Sequence, residues 1–596
     1  MSKPDVPRWD LAAAYPGFES EPYARDKKRF KKAVESFSRS ASDRSTRKDS
    51  PEKWLKRCIK TYNTAVDLYE NLAAFAYCRY SVNTRDTVAT NEISAIDEAA
   101  VPLHRAMVVF RNGLHDVRKK VKRVVSDSKS LKKYAFFVEE ELFYREHQMS
   151  ADEEDLAADL SRSGADAWSR LQESISSTLS VPWDESGTKT VVELRSLAHD
   201  ADRSVREKAY ELEIGAWKSM ETPIAFALNG VKGTSVVLNK RRSYNSALEK
   251  ATRQSRISEK ALDALIAVME ESLPIFRGYL TTKAHALGLE RLAFYDIFAP
   301  IGPNTRSWSF QEARGFIVEQ FTGFSTDLGE FAEKAFADSW IDAEPRDGKV
   351  GGAYCIGFPI AGESRILANF DGTFSGLTTL AHELGHAYHG EVLRKEPAIR
   401  RDYPMTLAET ASIFCEAIVF NRALASAADG EKAAILEILL QDTTQVIVDI
   451  LSRFRFERAV FDARKKGELS PDELCALMID AQKSTYGDAL DAEKLHPYMW
   501  AVKGHYYRPE LSFYNFPYSF GQLFGLALYA RYESDPDGFP VRYRKILEET
   551  GSASAVDVTR AAGFDIETKE FWRAGISFIE QKANEFTQSV TAVRRA

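Results

Sequence analysis

The sequence has few cysteines, no long apolar run and no excess of positive charge, and each shortage excludes a class of protein. No stretch of about 18 apolar residues occurs, so we expect no transmembrane helix and no membrane partner. The net charge is −7, so the basic run at residues 118–123 is interpreted as a solvated helix face rather than a nucleic-acid site. The five cysteines are odd in number and far apart: Cys58, Cys78, Cys355, Cys415 and Cys475. They predict free thiols in a reducing cytoplasm, not disulfides or a cysteine-based zinc site, and the first seven residues lack the apolar core of a secretory signal.

The composition indicates a large globular protein. With 596 residues, 44% of them hydrophobic, and a mean hydropathy of −0.34, the chain can bury a sizeable core in two domains. Its long charged amphipathic segments predict a mostly helical fold. Proline, glycine and polar residues interrupt the helical pattern at residues 181–187, so we predict domains at 1–190 and 191–596. The serine-rich residues 36–50 predict a polar loop.

The sequence does contain a cluster of histidines. Three of its ten histidines lie within eight residues, and the cluster begins with H-E-L-G-H at residues 382–386. In a helix, residues i and i+4 lie on one face, so His382 and His386 can bind one metal ion, with Glu383 beside them. Imidazoles are ordinary zinc ligands, and a neighbouring carboxylate can serve as the base of a hydrolytic reaction. The flanking residues predict a buried helix capped by Thr373 or Ser375. The segment therefore predicts a catalytic site with one zinc ion per chain.

A catalytic zinc site usually has three protein ligands and an open position. His389 shares the helical face but lies roughly 10 Å from His382 along the axis, so we interpret it as a packing or supporting residue. Residues 404–416 predict a second apolar helix whose buried face carries Glu409 and Glu416. Buried carboxylates need a cation or hydrogen-bond donors. We therefore predict Glu409 as the third ligand and Glu416 as a residue that orients a ligating histidine, with an ion pair to a basic side chain as the alternative for each.

Two extended segments precede the predicted zinc helix. Residues 349–355 and 365–370 are joined by a loop that contains glycine and proline. An exposed strand edge binds a peptide backbone with little regard to side chains, and glycines allow close approach. The alternative is a hairpin that only supports the helix.

These motifs closely resemble those of the M3 metallopeptidases, specifically the oligoendopeptidase F branch. The resemblance rests on H-E-L-G-H-A-Y-H at residues 382–389 and A-E-T-A-S at 408–412. Further segments resemble the same branch, and together they cover most of the chain: W-D-L at 9–11 with Y-P at 15–16, L-S-R-S-G at 160–164 with A-W at 167–168, G-G-A-Y-C at 351–355, and L-A-N-F at 367–370. The resemblance implies a mostly α, prolate, zincin-like fold with a deep substrate channel, zinc at the channel floor, and a small β-sheet beside the zinc helix.

The resemblance also implies roles for individual residues. His382, His386 and Glu409 would bind zinc, and Glu383 would act as the general base. The family pattern further implicates a C-terminal histidine and tyrosines in stabilising the transition state, which here are His505, Tyr514 as the first choice, and Tyr518 as the second. The segment departs from the family pattern, because Phe516 and Pro517 replace a tyrosine and a polar residue. Pro517 also argues against one continuous helix through residues 513–518.

We therefore predict a cytoplasmic zinc oligoendopeptidase that hydrolyses internal bonds of short peptides. The sequence leaves the oligomeric state open and is compatible with a monomer. One alternative is a dipeptidyl carboxypeptidase on the same scaffold, which would need a cation such as Arg365 or Arg508 to bind the terminal carboxylate of its substrate. The other is a non-catalytic peptide-binding protein, against which the intact Glu383 argues.

Overall fold

Helices make up most of the described part of the chain, as the amphipathic pattern of the sequence predicts. The structure is a computed structural model and describes residues 6–185, 187–301 and 306–595. The chain forms two units, each built from three separated segments. Unit 1 holds the described residues of 1–148, 306–423 and 531–564, and unit 2 holds those of 149–305, 424–530 and 565–596. Residues 1–5, where we expect no secretory signal, and Ser186, in the predicted boundary, lie outside the described residues. A domain boundary near residue 190 stays a prediction.

From residue 21 onward, the first segment of unit 1 is built from helices. Its helices are α1 (Glu21–Ser42), α2 (Arg44–Asp49), α3 (Pro51–Ser81), α4 (Thr87–Asp116), α5 (Arg118–Asp127) and α6 (Ala135–Glu146). The polar loop predicted for residues 36–50 is wrong, because Phe37 and Ala41 are fully buried among α1, α3 and α4. Asp43 then caps α2 by accepting a hydrogen bond from the Thr46 amide at 3.0 Å. The basic side chains of α5 are exposed, which confirms the solvated helix face.

The first segment of unit 2 contains a hairpin among helices. Its elements are α7 (Ala151–Ser163), α8 (Ala165–Thr178), β1 (Ser180–Asp184), β2 (Gly187–Thr190), α9 (Val191–Ser196), α10 (Arg203–Ser219), α11 (Glu221–Arg241), α12 (Ala247–Gln254) and α13 (Glu259–Ala286). Strands β1 and β2 are antiparallel and occupy the place where the helical pattern of the sequence stops.

The second segment of unit 1 carries the sheet and the histidine motif. Its elements are α14 (Phe310–Phe324), α15 (Thr326–Ala337), β3 (Ile341–Asp342), β4 (Tyr354–Phe358), β5 (Glu363–Leu367), α16 (Phe374–Leu393), α17 (Ala398–Arg401), α18 (Met405–Ala408) and α19 (Thr410–Ser426). The sheet has the order β3-β5-β4, with β3 parallel and β4 antiparallel to β5. Strand β4 is therefore an edge strand. The sheet packs against α16, as predicted. However, β4 begins five residues after the start of the predicted segment 349–355, and β5 begins two residues before that of 365–370.

The remaining chain is again helical. It forms α20 (Asp429–Thr444), a π-helical turn (Gln445–Asp449), α21 (Ile450–Arg464), α22 (Pro471–Tyr486), α23 (Met499–Val502), α24 (Phe516–Ser534), α25 (Phe539–Glu549), α26 (Ala555–Ala561) and α27 (Lys569–Arg595). Pro517 lies in the first turn of α24, where its missing N–H breaks no helical bond, and residues 513–515 are not helical.

The main features predicted for the fold are confirmed. It is mostly α-helical, with a small sheet beside the motif helix, and no disulfide joins the five cysteines. None of the described helices has both the length and the apolar content that crossing a membrane requires. The prolate shape and the deep channel stay predictions.

Candidate metal centre and active site

Helix α16 holds the H-E-L-G-H motif in a rigid position. The Thr373 hydroxyl caps the helix by accepting a hydrogen bond from the Gly376 amide at 3.1 Å, which is one of the two predicted caps. The apolar residues of the helix are buried, whereas the His382 and His386 side chains keep 24% and 22% of their surface exposed. The helix thus fixes its backbone in the core while leaving both imidazoles accessible.

The second helix predicted near the motif is interrupted at Glu409. Helix α18 ends at Ala408 and α19 begins at Thr410, so a single helix over residues 404–416 is wrong. The Thr410 hydroxyl donates to the Leu407 carbonyl at 2.8 Å, and the Ser412 hydroxyl donates to Glu409 Oε2 at 2.6 Å. Such local side-chain bonds compete with helical ones. They hold the Glu409 carboxylate at the turn between the two helices.

The structure brings His382, His386 and Glu409 together. One ligand atom from each side chain lies within 4.8 Å of the other two. Glu409 Oε2 lies 3.2 Å from His382 Nε2 and 3.4 Å from His386 Nε2. Zinc bonds of about 2.0–2.2 Å at tetrahedral angles place neighbouring ligand atoms about 3.3 Å apart. The donor types and their spacing therefore fit a zinc ion.

Hydrogen bonds within this group favour a positive charge on His382 and a negative charge on Glu409. Glu416 Oε2 lies 3.1 Å from His382 Nδ1, on the opposite side of the ring from Glu409. Burial opposes the charged form of His382, but hydrogen bonds to Glu409 and Glu416 raise its pKa well above the ordinary value. Burial likewise opposes ionisation of Glu409, but hydrogen bonds from both histidines hold its pKa well below the usual range. The site is thus suited to a cation.

Glu383 lies beside the group without joining it. Its side chain is buried, and Oε2 has no hydrogen-bond partner in the part of the chain that the structure describes. Burial raises the pKa of this carboxyl, whereas His382 and His386 lower it. An unpaired buried carboxylate oxygen is costly unless a water or ligand pairs with it, so Glu383 can accept a proton there.

His389 is not part of the metal-binding group. Its Nε2 donates to the Thr550 hydroxyl at 2.8 Å, because that hydroxyl gives its own proton to the Leu547 carbonyl. The ring stacks on Tyr403, with the ring centroids 4.3 Å apart. His389 therefore packs inside unit 1.

A cavity of about 740 Å³ opens beside the metal-binding group, and all its lining residues belong to unit 1. Its walls come from β4, α16, α3 and the turn at Glu409, and they include Glu383, Cys355 and Gly357. A Cβ atom added at Gly357 would meet no other atom within 4 Å. The cavity thus places strand β4 next to the histidines.

Arg365 is not available to bind a substrate carboxylate. Its guanidinium donates to the carbonyls of Asp10 and Ser364, both at 2.8 Å, and to Glu363 at 2.9 Å. The side chain is 2% exposed. Of the two cations that the sequence suggested for a carboxypeptidase, only Arg508, an exposed residue of unit 2, remains a candidate.

The three transition-state residues suggested by the resemblance lie together within unit 2. The rings of His505 and Tyr514 are stacked with centroids 5.9 Å apart, and the hydroxyls of Tyr514 and Tyr518 are 2.8 Å apart. Asn515 Nδ2 lies 2.7 Å from His505 Nε2. Sequence reasoning missed the roles of Asn515 and Ser412, because each role depends on a side-chain hydrogen bond that the sequence does not show.

Comparisons with known proteins identify the family of this chain. The model of peptidase family M3 matches residues 196–578, and that of Oligopeptidase F matches residues 118–180. Oligopeptidase PepF of Bacillus subtilis is 24% identical over 486 residues, which are 80% of this chain and 72% of that protein. Group B oligopeptidase PepB of Streptococcus agalactiae is 26% identical over 468 residues, 77% of each chain.

A solved structure has the same fold. The crystal structure of oligoendopeptidase-F from Enterococcus faecium aligns with a TM-score of 0.72 at 18% identity, covering 96% of this chain and 99% of the other. Since the family model spans more than half of the sequence, the chain belongs to peptidase family M3, and within this family of metallopeptidases to the oligoendopeptidase F branch.

Proposed function

We propose that this protein is a zinc-dependent oligoendopeptidase that hydrolyses internal bonds of short peptides. The observation that carries the proposal is the convergence of His382, His386 and Glu409 at zinc-like spacing, beside the unpaired carboxylate of Glu383. These three side chains would hold one zinc ion per chain. Zinc bound there supplies Lewis-acid activation of a water molecule and of the scissile carbonyl.

Glu383 is the general base in this proposal. Its free oxygen accepts the proton of the attacking water, and its raised pKa makes it a stronger base than an exposed carboxylate. The same carboxyl then passes the proton to the departing amine. Glu416 supports this chemistry indirectly by fixing the ring orientation of His382.

The substrate backbone aligns along the edge of β4. Among the described residues this strand pairs with β5 alone, and it lines the cavity beside the histidines. Main-chain hydrogen bonds to an edge strand give affinity for extended peptides of many sequences. Gly357 leaves room for the peptide to approach closely.

His505, Tyr514 and Tyr518 are the proposed donors to the oxyanion of the tetrahedral intermediate. Their mutual contacts within unit 2 support a shared role, and hydroxyl or imidazole donors suit a developing negative charge. A dipeptidyl carboxypeptidase is the less favoured alternative, because hydrogen bonds already saturate Arg365 and leave Arg508 as the remaining suggested cation.

Mass spectrometry of a length-graded peptide mixture, incubated with zinc-loaded protein, tests the proposal. Glu383→Gln is the matched control, because the amide keeps the shape of the carboxylate but cannot accept the proton. We expect internal cleavage of short peptides by the wild type and none by the variant. Successive losses of C-terminal dipeptides would instead support the carboxypeptidase, and intact peptides in both samples would support a peptide-binding protein.

Metal analysis tests the ligand set separately from activity. We expect one zinc ion per wild-type chain after dialysis, and the same for Glu383→Gln. His386→Ala and Glu409→Ala should each lose the ion. Retention of zinc by either ligand variant would contradict the proposed coordination.

A further inference from the structure

Side chains around His505 form a continuous hydrogen-bond network within unit 2. It begins at the π-helical turn Gln445–Asp449, where the carboxylate of Asp449 pairs with Arg453. Arg453 Nη1 donates to Asn515 Oδ1 at 3.1 Å, and Asn515 Nδ2 lies 2.7 Å from His505 Nε2. Asp449 and Asn515 are 5% and 7% exposed. This network thus joins the π-helical turn to the imidazole of His505 through side chains that are largely buried.

Arg453 determines which end of the Asn515 amide faces His505. A guanidinium carries only donors, so the amide oxygen must face Arg453 and the amide nitrogen must face the ring. That nitrogen can only donate, so His505 Nε2 accepts the bond and carries no proton. The proton of the neutral imidazole then lies on Nδ1. Nδ1 has no hydrogen-bond partner among the described residues, so its N–H is available to a ligand.

The surroundings of His505 keep the ring uncharged. Burial, together with nearby positive side chains, lowers the pKa of His505 to about 2; these side chains are Arg453, Lys503, Lys232 and Arg508. The acidic groups of this region do not offset them, because Asp449 pairs with Arg453 and Glu457 pairs with Lys232. A histidine in these surroundings donates hydrogen bonds without acting as an acid.

We propose that Asp449, Arg453 and Asn515 are positioning residues that hold His505 as its Nδ1–H tautomer, so that His505 stabilises the transition state as a neutral donor from Nδ1. This inference rests on the proposed function, in which His505 is one of the donors. The π-helical turn anchors the arrangement, since the Ser519 hydroxyl, from the first turn of α24, donates to the Val446 carbonyl inside that turn at 2.6 Å. Helix α24 follows Asn515 directly, so the same contact fixes the segment that carries the amide.

Nitrogen-15 NMR of zinc-loaded, histidine-labelled protein tests the tautomer directly. His505→Gln identifies the His505 signals by their loss from the spectrum. We expect Nδ1 protonated and Nε2 unprotonated in the wild type at pH 7. A protonated Nε2 would overturn the inference, whatever the activity of the enzyme.

Asn515→Asp then tests the functional consequence. A carboxylate keeps the size of the amide and its bond to Arg453 but cannot donate, so Nε2 should acquire the proton and the tautomer should switch. We expect kcat to fall about a hundredfold with KM unchanged within about twofold, as for loss of one oxyanion donor. The exposed Asn245→Asp, which makes the same chemical change in unit 2, should leave kcat, KM and the His505 signals unchanged.

Asn515→Leu keeps the inference testable if the aspartate variant fails to fold. Leucine has a similar volume and neither donates nor accepts, so His505 should exchange between both tautomers and kcat should fall by less than in Asn515→Asp. A switched tautomer with unchanged kcat, in an enzyme that His505→Gln does inactivate, would overturn the positioning role. If His505→Gln also leaves kcat unchanged, the proposed donor role of His505 is wrong, and the functional part of this inference is wrong with it.

Discussion

At the scale of single residues, the two nitrogens of His382 have different partners. Nε2 faces Glu409, and Nδ1 faces Glu416. A carboxylate behind a ligating imidazole fixes its tautomer and orientation and increases its basicity. Glu416 should therefore affect the metal without touching it.

We expect Glu416→Gln to weaken zinc binding by about 10- to 100-fold, because the ring loses its charged hydrogen-bond partner. Competition with a chromogenic chelator measures the affinity. Asp429→Asn is the control, since it removes one carboxylate charge from a side chain that is 98% exposed. Equal affinities for the Glu416 variant and the wild type would assign Glu416 to packing alone.

Tyr514 and Tyr518 can be separated by removing one hydroxyl at a time. Tyr514→Phe should slow turnover by hundreds-fold, equivalent to about 3–4 kcal/mol of barrier, while zinc stays bound. Tyr518→Phe should have a smaller effect, acting through the 2.8 Å contact between the hydroxyls. Steady-state kinetics with one fluorogenic peptide compare the two. Near wild-type turnover of Tyr514→Phe would remove this residue from the mechanism.

At the scale of elements, α16 and α19 approach closely where the motif glycine lies. A Cβ atom at Gly385 would lie 2.6 Å from the Ala411 carbonyl oxygen and 2.7 Å from the Cα of Ser412. Both are backbone atoms of α19 and cannot move alone. The glycine therefore allows Glu409, just before α19, to reach the histidines of α16.

Gly385→Ala should separate these helices, lower stability by about 1–3 kcal/mol and weaken zinc binding. Gly390→Ala is the matched control in the same helix, because its Cβ would meet only the Ser364 hydroxyl at 3.4 Å. There the better helix propensity of alanine should raise stability by up to about 1 kcal/mol. Thermal unfolding and zinc titration of both variants check this pair, and equal behaviour would contradict the close-packing argument.

Elements were predictable from sequence where a local pattern determined them. The capped apolar helix around the motif and the two strands before it were expected and are present. The break at Glu409 was not, because it depends on the Ser412 and Thr410 side chains competing with helical bonds. The helices over residues 36–49 were missed because burial of Phe37 against α3 is a long-range contact that serine-rich composition conceals. The link from Asn515 to Arg453 is likewise long-range, since 62 residues separate them.

At the scale of the whole molecule, buried His389 couples stability to pH. Its Nε2 already donates to Thr550, and Nδ1 is buried with no hydrogen-bond partner among the described residues, so protonating Nδ1 would bury an unpaired N–H. Burial lowers the pKa of His389 to about 3. Between its ordinary pKa of about 6.5 and this value, the unfolded chain binds more protons than the folded chain. Stability should therefore fall as the pH drops from about 6.5 toward 3.

His389→Gln should reduce the slope of the unfolding free energy against pH by up to about 1.4 kcal/mol per pH unit, which corresponds to one proton. It should leave the pH dependence above pH 7 unchanged. Urea unfolding of both proteins between pH 4 and pH 8 measures the difference. The exposed His104→Gln should keep the wild-type slope. An unaltered slope in the His389 variant would show that His389 binds protons equally in the folded and unfolded states, which would contradict the prediction.

The segmented architecture of the two units has a consequence for how the protein is made. The chain passes from one unit to the other five times, after residues 148, 305, 423, 530 and 564. All three proposed ligands have been synthesised by residue 409, but Tyr543, which stacks on Phe414, and Thr550, which pairs with His389, come much later. At about 5–20 residues per second, a ribosome needs about 8–30 s to translate the 155 residues from 409 to 564. The nascent chain thus contains the three proposed metal ligands well before the residues that pack around their helices. We therefore expect the metal ion to bind after translation.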